Sequence, residues 1–227
     1  MRNLVAVLFV SAAAFAAVPV VAADLPQPYT PPPVVDNGMG GTFYLRASVG
    51  GNMLWTSEHV QTDGTTNQAT AAGYGYSIGA GFGYEVGNGL RADVTVDELS
   101  NDGLTDGTNT LHLRSTLALA NAYYDFPLMG GSQGGLGGYV GAGIGGAYYQ
   151  VNTTPANEEL PDGNGWTAAG ALMTGVTYDM GSMVADLGYR AIYMPQISNN
   201  AVGPQPAWYI NSNVVQEVRA TLRYRLN

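Results

Sequence analysis

The sequence predicts an all-β protein, an eight-stranded antiparallel up-and-down β-barrel, and three observations predict it. From residue 41 onward, large apolar residues alternate with small or polar ones at a period of two, without helical periodicity. Short glycine-rich turns alternate with longer polar connections along the chain. All seven arginines of this region fall on the strand face opposite the bulky apolar residues. Short turns at one end and long loops at the other are typical of a transmembrane barrel in an outer membrane.

The N-terminal region carries export signals. Residues 1–23 read as a secretory signal peptide, with Arg2 in the charged region, an apolar stretch and a small-residue cleavage site before Asp24. The alternative, an uncleaved membrane anchor, is disfavoured by Pro19 and by the cleavage site. Residues 24–40 are rich in proline and predict an extended periplasmic linker, with a passive tail favoured over a binding motif. Residues 41–227 form the predicted barrel domain.

Eight alternating segments predict the strands, and none reaches the ~18 apolar residues of a transmembrane helix. They are residues 42–55, 73–86, 89–99, 110–126, 136–150, 166–180, 183–194 and 213–226. The short connections are residues 87–89, 127–135 and 181–182, and the long ones are 56–72, 100–109, 151–165 and 195–212. A strand of about thirteen residues tilted by ~40° rises roughly 30 Å, which is enough to cross the hydrocarbon.

The charged residues indicate which face points inward. We expect thirteen of them to form a charge network in the lumen: Arg46, Glu85, Arg91, Asp93, Asp97, Arg114, Asp179, Asp186, Arg190, Glu217, Arg219, Arg223 and Arg225. A soluble barrel would instead turn its bulky face inward and these charges to water. The charged face is rich in glycine, at Gly75, Gly79, Gly81, Gly83, Gly141, Gly143 and Gly145. Glycine is poorly explained on a solvated strand, but inside a narrow barrel it leaves room for long arginines.

Aromatic residues also favour a membrane barrel. Nine of them predict two interfacial girdles: Trp55, Trp166 and Trp208 on the long-loop side, and Phe43, Tyr84, Tyr124, Phe126, Tyr178 and Tyr224 on the short-turn side. Tyr123 also falls near the short turns, and lysine is absent from the chain. The bulky face is therefore predicted to face lipid.

One strand does not fit this pattern. In residues 110–126, the parity of His112 and Arg114 would place Asn121 and Asp125 on the lipid side. A bulge near residues 115–120, or an inward switch near the periplasmic rim, would reconcile them.

Composition excludes several kinds of function. The chain has no cysteine, which rules out disulfides and thiol chemistry. With seven arginines against seventeen acidic residues, the mature chain carries a net charge of −10, which argues against nucleic acid as a partner. The glycine runs at residues 79–81 and 141–146 continue as strands, so they do not predict a nucleotide-binding loop. We therefore expect no cofactor.

Catalytic and metal sites are weakly indicated. His59 and His112 are the only histidines, and Ser115 points away from His112 along an alternating strand. An ordinary polar residue is favoured over a lipid-modifying catalytic histidine, so no enzyme is predicted. The acidic loop 157–162 is more consistent with a solvated segment than with a weak divalent-cation site.

The motifs GTFYLRASVG, ANAYYDF, GGYVGAGIGG, DLGYR and EVRATLRYRLN, with the start ADLP, resemble the small outer-membrane β-barrel proteins of alphaproteobacteria, the porin-family or OmpA-like transmembrane-domain proteins. The resemblance spans nearly the whole mature chain and specifies architecture better than activity. It implies an outer-membrane location. No peptidoglycan-binding domain is expected after the barrel.

The predicted function is structural and surface-presenting. Pairing of the thirteen lumen charges would plug the barrel, because buried charges persist when they are paired. A narrow pore for small solutes, weakly favouring anions through one extra arginine, is the alternative. The expected partners are outer-membrane lipid and lipopolysaccharide, with unknown loop ligands, and a monomer is expected.

Overall fold

The structure, a computed structural model, describes residues 41–56, 60–62, 65–67, 73–105, 110–129, 135–154, 162–198 and 208–226. The predicted signal peptide and linker, residues 1–40, lie outside the described residues. Eight long strands are present: β1 (Thr42–Thr56), β4 (Gly73–Gly87), β5 (Leu90–Thr105), β6 (Thr110–Met129), β7 (Gly135–Thr154), β8 (Gly163–Asp179), β9 (Met183–Ser198) and β10 (Trp208–Leu226). Two short strands, β2 (Val60–Thr62) and β3 (Thr65–Asn67), form a hairpin within the first long loop.

The eight long strands close into a barrel. Each pairs antiparallel with its neighbour along the chain, and β1 pairs with β10 to complete the ring. The predicted eight-stranded antiparallel barrel is therefore confirmed. No helix among the described residues is long and apolar enough to cross a membrane.

Several strands continue into segments that the sequence predicts as loops. β5, β7 and β9 extend to Thr105, Thr154 and Ser198, and β10 already begins at Trp208. The extensions of β5 and β7 are mostly polar, so their sequence resembles a loop, but the backbones of these extensions still pair in ladders. The short hairpin joins the same region, because β2 pairs with β10 at Trp208 and Tyr209.

The register of the strands fixes the tilt of the barrel. A row of paired residues that starts at Thr42 on β1 and is followed through every strand returns to β1 at Asn52. This shift of ten residues over eight strands corresponds to a strand tilt of about 40°. Rows of paired residues therefore climb round the barrel toward the long-loop end.

The first short turn has the geometry of a tight hairpin. Asn88 and Gly89 have φ values of 54° and 83°, the left-handed pair that a two-residue type I′ turn requires. Asparagine and glycine are the residues that adopt this conformation most readily. The Asn-Gly dipeptide thus holds β4 and β5 in register at this end.

The polarity of the barrel is inverted relative to a soluble protein. Thirty-one large apolar side chains are exposed on the described surface, whereas twenty polar or charged residues are buried. Contiguous exposed apolar surface of this extent requires an apolar partner, and hydrocarbon supplies it. The bulky face is the outer face, as predicted.

The inward glycines leave space for interior side chains, and arginines occupy only part of that space. A Cβ at Gly79 would collide with the Asp97 carboxylate, and one at Gly83 would lie 2.5 Å from Cζ of Tyr44. Only at Gly81 is an arginine close, with Cγ of Arg46 at 3.1 Å. The glycines therefore accommodate carboxylates and tyrosines as well as arginines.

The structure corrects the expectation for β6. Its odd-numbered residues face inward without interruption, so Asn121 and Tyr123 are buried and Asp125 is partly buried. The register with β5 is continuous from residue 112 to 124 and that with β7 from residue 110 to 127, so no bulge interrupts residues 115–120 and no switch of face precedes Asp125. Arg114 instead lies on the outer face. It is near the extracellular end of its strand, where the outer surface need not be apolar.

Candidate functional site: the charged interior

The centre of the lumen is crossed by a network of buried ion pairs, here called the central web: Asp97, Arg190, Glu217 and Arg219. Asp97 accepts from Arg190 and from Arg219, both at 2.8 Å, and Arg190 Nε lies 2.6 Å from Glu217. The Asp97 and Arg190 side chains are 0% and 1% exposed. Ser77 donates to Glu217, and Arg219 donates to Ser48. Charge-assisted bonds of this kind satisfy charges that burial would otherwise penalise.

A second cluster surrounds Asp93. Its carboxylate accepts from Tyr44 Oη, Arg46 Nη1 and Asn121 Nδ2, each at 2.8 Å. The Arg46 guanidinium also donates to the Tyr123 hydroxyl at 2.8 Å. The inward positions are even-numbered on β1 and odd-numbered on β5 and β6, so side chains from these three strands meet at the Asp93 carboxylate.

Arg91 connects this cluster to the short-turn end. Its guanidinium carbon lies 3.6 Å from the centre of the Tyr123 ring, in a cation–π contact, and its Nε lies 2.8 Å from Asp125. At the rim, Arg223 pairs with Glu85 at 2.8 Å and with Asp186 at 3.2 Å. The last arginine bridges two rim carboxylates: Arg225 contacts Glu85 at 2.7 Å and Asp179 at 2.8 Å.

Two of these ion pairs span the full width of the barrel. β5 and β9 lie four strands apart in a ring of eight, and so do β6 and β10. The Asp97–Arg190 pair joins the first two strands, and the Asp125–Arg223 pair, at 3.6 Å, joins the second two. The lumen is therefore bridged across its diameter at two levels.

The structure places twelve of the thirteen predicted lumen residues inside and removes one. Arg114 is 44% exposed and pairs on the outer face with Asp102 at 3.1 Å. Asp125 enters in its place, so the interior holds six arginines and seven carboxylates. The formal charge of the interior is −1, not the +1 that the sequence predicts, and the expected weak preference for anions loses its basis.

An apolar layer fills the long-loop half of the lumen, and sequence reasoning missed it. Its buried side chains include Leu54, Leu99, Leu113, Leu117, Leu119, Tyr149, Val151, Ile192, Met194, Ile197, Ile210 and Val215. The sequence did contain a signal for this layer, because Leu113, Leu117 and Leu119 share the odd-numbered face of β6 with Asn121 and Asp125. Tyr44, two residues from Arg46 on β1, was missed for the same reason.

The predicted girdle residues lie on the outer face near the strand ends. Trp55 and Trp166 are exposed near the long-loop ends, and Phe43, Tyr124, Tyr178 and Tyr224 are exposed near the turns. Tyr84 and Phe126 are partly buried beside them, and each packs on another aromatic ring. The side chain of Trp208 lies outside the described residues. Tyr123 is a correction: it points inward and contacts Arg46 and Arg91.

The two girdles are separated by the thickness of a bilayer core. Trp166 and Tyr178 are twelve residues apart on β8, which at the tilt above is a height of roughly 30 Å. Heights on different strands are compared by following the rows of paired residues and allowing for their rise round the barrel. On this scale Trp55 and Trp166 lie at about the same height, and so do Tyr84 and Tyr178.

Catalytic chemistry finds little support in the described part of the chain. His112 Nδ1 lies 2.9 Å from Asp102 Oδ1 on the outer face, whereas Ser115 is buried on the inner face. No group of three or more metal-ligating side chains is found among the described residues. His59 and the acidic loop 157–162, apart from Asp162, lie outside them.

Sequence comparison finds similar proteins whose function is not established. No protein-family model matches the sequence. An uncharacterised protein of Brucella abortus is 32% identical over 163 residues, and one of Brucella melitensis matches equally well. The match covers 58% of this chain and 54% of the Brucella proteins, so the chain spans about half the length of these relatives.

Two solved structures align with most of this chain. The outer membrane protein OprG from Pseudomonas aeruginosa aligns over 82% of this chain and 97% of its own, with a TM-score of 0.48 and 15% identity. Neisserial surface protein A aligns over 82% of this chain and 99% of its own, with a TM-score of 0.55 and 21% identity. The closed ring, the inverted polarity and the likeness to Neisserial surface protein A together show that the chain has the fold of the small eight-stranded outer-membrane β-barrel proteins.

Proposed function

We propose that the protein is a non-conducting scaffold in the outer membrane that holds its four long-loop segments at the cell surface. The observation that carries this proposal is the pair of ion bridges across the lumen, Asp97–Arg190 and Asp125–Arg223. The apolar layer above them fills the remaining width with buried side chains. A barrel of eight strands is only wide enough to be filled by its side chains, so these two layers support a closed interior. Neither an enzymatic role nor a pore is needed to account for the arrangement.

Conductance tests this proposal. We expect the full-length protein, purified and added to a planar bilayer, to insert without discrete current steps. A matched pair of variants sharpens the result, since Arg190 is in the central web and Leu187, on the same strand, is 57% exposed to lipid. Reproducible steps that change in Arg190→Ala but not in Leu187→Ala would show a pore through the web and contradict the scaffold.

A second role, contact with lipopolysaccharide, is supported by the outward ion pair. Arg114 and Asp102 lie at about the height of Trp166 once the climb of the rows is considered. Both side chains are nearly half exposed, and His112 is beside them. A guanidinium at the height of the lipid headgroups is suited to bind phosphate bidentately.

For this contact we expect Arg114→Gln to lower the amount of lipopolysaccharide that copurifies with the protein by several-fold. The barrel itself should keep its stability, because the exposed Arg114–Asp102 pair contributes at most about 1 kcal/mol. The measurement is phosphate per protein after extraction in mild detergent. Thr116→Ala on the same outer face serves as the control, and equal lipopolysaccharide in all three proteins would remove Arg114 from this role.

A further inference from the structure

The wall of the barrel is incompletely paired at one seam. The ladder between β8 and β9 runs from Asp179 and Val184 to Gly170 and Tyr193, and it ends there. Within the described residues, no ladder pair joins residues 165–169 of β8 to residues 194–197 of β9. Both segments remain paired on their other sides, to β7 and to β10. The strands therefore continue, but their facing edges separate.

An irregularity in the β9–β10 ribbon lies beside the end of this ladder. Met194 and Ile197 are buried while Pro195 and Gln196 between them are exposed, so β9 changes its inward parity at the proline. Ser212 on β10, in the adjoining row, has a left-handed φ of 56°. Proline offers no N–H to a ladder and is expected at a strand edge. The irregularity therefore crosses both strands of the ribbon, and β10 pairs with β2 beyond it.

The separated edges lie within the outer leaflet. Gly170 is four residues below Trp166 on β8, a height of roughly 10 Å at the tilt of this barrel. The seam thus opens between the interfacial tryptophan and the middle of the outer-leaflet hydrocarbon. Backbone edges at this depth need hydrogen-bond partners, because lipid tails provide none.

The interior behind the seam is apolar and partly small. Ala169 and Ala171 on β8 face Ile192 and Met194 on β9, and all four are buried. Ala168 and Gly170 point outward instead, and a Cβ added at Gly170 would meet no atom within 4 Å, so the open space at the base of the seam lies on its lipid-facing side. The central web begins at Arg190, below Tyr193, and forms a charged floor. The seam is therefore closed on its inner side by packed apolar side chains, and its outer side is lined by the small residues Ala168 and Gly170.

A tyrosine spans the seam from inside. Tyr149 projects from β7, and its hydroxyl accepts from the backbone N–H of Ser198 on β9 at 3.0 Å. It supplies to β9 an oxygen that a paired β8 would have supplied from its backbone. The backbone groups of the seam that lie between Ser198 and the end of the ladder at Tyr193 are left for another partner.

We propose that the β8–β9 seam binds an acyl chain of outer-leaflet lipopolysaccharide. Such a chain matches the seam at both ends: its amide, ester and hydroxyl groups can pair with the backbone edges near Trp166, and its alkyl part can lie along the outer face over Ala168 and Gly170. The acyl esters of a phospholipid can accept from backbone N–H groups but cannot donate to backbone C=O groups, which is why lipopolysaccharide, whose chains carry hydroxyl and amide donors, is the favoured occupant. The inference rests on the lipopolysaccharide contact proposed above, but it uses different residues.

A spin label at the seam tests this proposal. The chain has no cysteine, so Ala168→Cys and Val214→Cys each give a single labelling site in the full-length protein. Val214 is the control because its strand is paired on both sides, to Tyr193 and to Trp55, at a similar height. In phosphatidylcholine nanodiscs with lipopolysaccharide added, we expect the label at residue 168 to slow several-fold and the label at residue 214 to stay unchanged. An equal response at both sites, no response at residue 168, or the same response to added phosphatidylglycerol would overturn the proposal.

Amide exchange of the unlabelled protein gives a second readout. We expect those amides of residues 166–169 that face the seam, and not the alternate amides paired with β7, to exchange much faster than the amides of residues 171–174 in phosphatidylcholine, and to become protected when lipopolysaccharide is added. Slow exchange without lipopolysaccharide would mean that the edges are satisfied by the protein itself, and the proposal would fail. Pro195→Val, which restores an N–H, should reduce the effect of lipopolysaccharide on the label at residue 168. If Arg114→Gln leaves the copurified lipopolysaccharide unchanged while the seam still responds to lipopolysaccharide, the headgroup contact proposed for Arg114 is wrong and the seam proposal stands.

Discussion

Asp97→Ala is expected to be the most destabilising removal of a single charge in this barrel. Asp97 is the shared acceptor of Arg190 and Arg219, and its side chain is fully buried. Alanine would leave two guanidinium groups in the lumen with only Glu217 to balance them. Breaking a buried ion pair by removing one partner costs about 3–5 kcal/mol, and we expect a loss in unfolding free energy of at least this size.

The neighbouring residue provides the control for this variant. Glu98 points outward, and its contact is a hydrogen bond from Thr116 at 2.7 Å. Glu98→Ala should leave the free energy of unfolding unchanged or raise it, because removing an outward carboxylate favours lipid. Urea unfolding of both variants in detergent micelles, followed by tryptophan fluorescence, measures the difference. Equal stability of the two variants would mean that the central web contributes little, and that the apolar layer alone holds the barrel together.

For most strands the inward and outward faces could be predicted from sequence, because charged residues mark one face and bulky apolar residues mark the other. On β10, Arg219, Arg223 and Arg225 share one parity with Glu217, and the opposite parity carries apolar residues. A one-residue slip would turn this whole set toward lipid, so the register has one good solution. The ring closure follows from the same pattern, since a strand edge left open in lipid would be costly.

β6 could not be assigned in the same way because its polarity changes along its length. Near the long loops its inner face is apolar, with Leu113, Leu117 and Leu119, and its outer face carries Arg114. Toward the turns the inner face becomes polar at Asn121. The rule that bulky residues face lipid holds only where the outside is hydrocarbon and the inside is charged. Neither condition holds at the extracellular end.

The seam between β8 and β9 was also beyond sequence reasoning. Pro195 does appear in the sequence as a residue that cannot donate to a ladder, but it falls in a segment that predicts a loop. Only the register shows that both strands continue past it with their edges apart. The missing information is long-range, because it concerns which edges meet and not which residues form strands.

Gly79→Val should have the second large effect, and it tests whether the glycine face is needed for space. A Cβ at this position would collide with the Asp97 carboxylate and lie 3.1 Å from Ser48 Oγ. Because Asp97 is fixed by two arginines, it cannot move without breaking the central web. Overpacking alone costs typically 1–3 kcal/mol, and displacement of a buried ion pair adds to that, so we expect a loss of roughly 3 kcal/mol or more.

The matched variant is Gly51→Val on the outer face of β1, where an added Cβ would meet no atom within 4 Å. Valine has a higher strand propensity than glycine and adds apolar surface toward lipid, so this change should be neutral or stabilising. Fractional refolding into detergent micelles, followed by urea unfolding, compares the two. If Gly79→Val and Gly51→Val refold equally well, the inward glycines are not required by the charges. The closed interior would then depend on the apolar layer, whose side chains can repack, and a barrel of that kind could open far more readily than one bridged by Asp97 and Arg190.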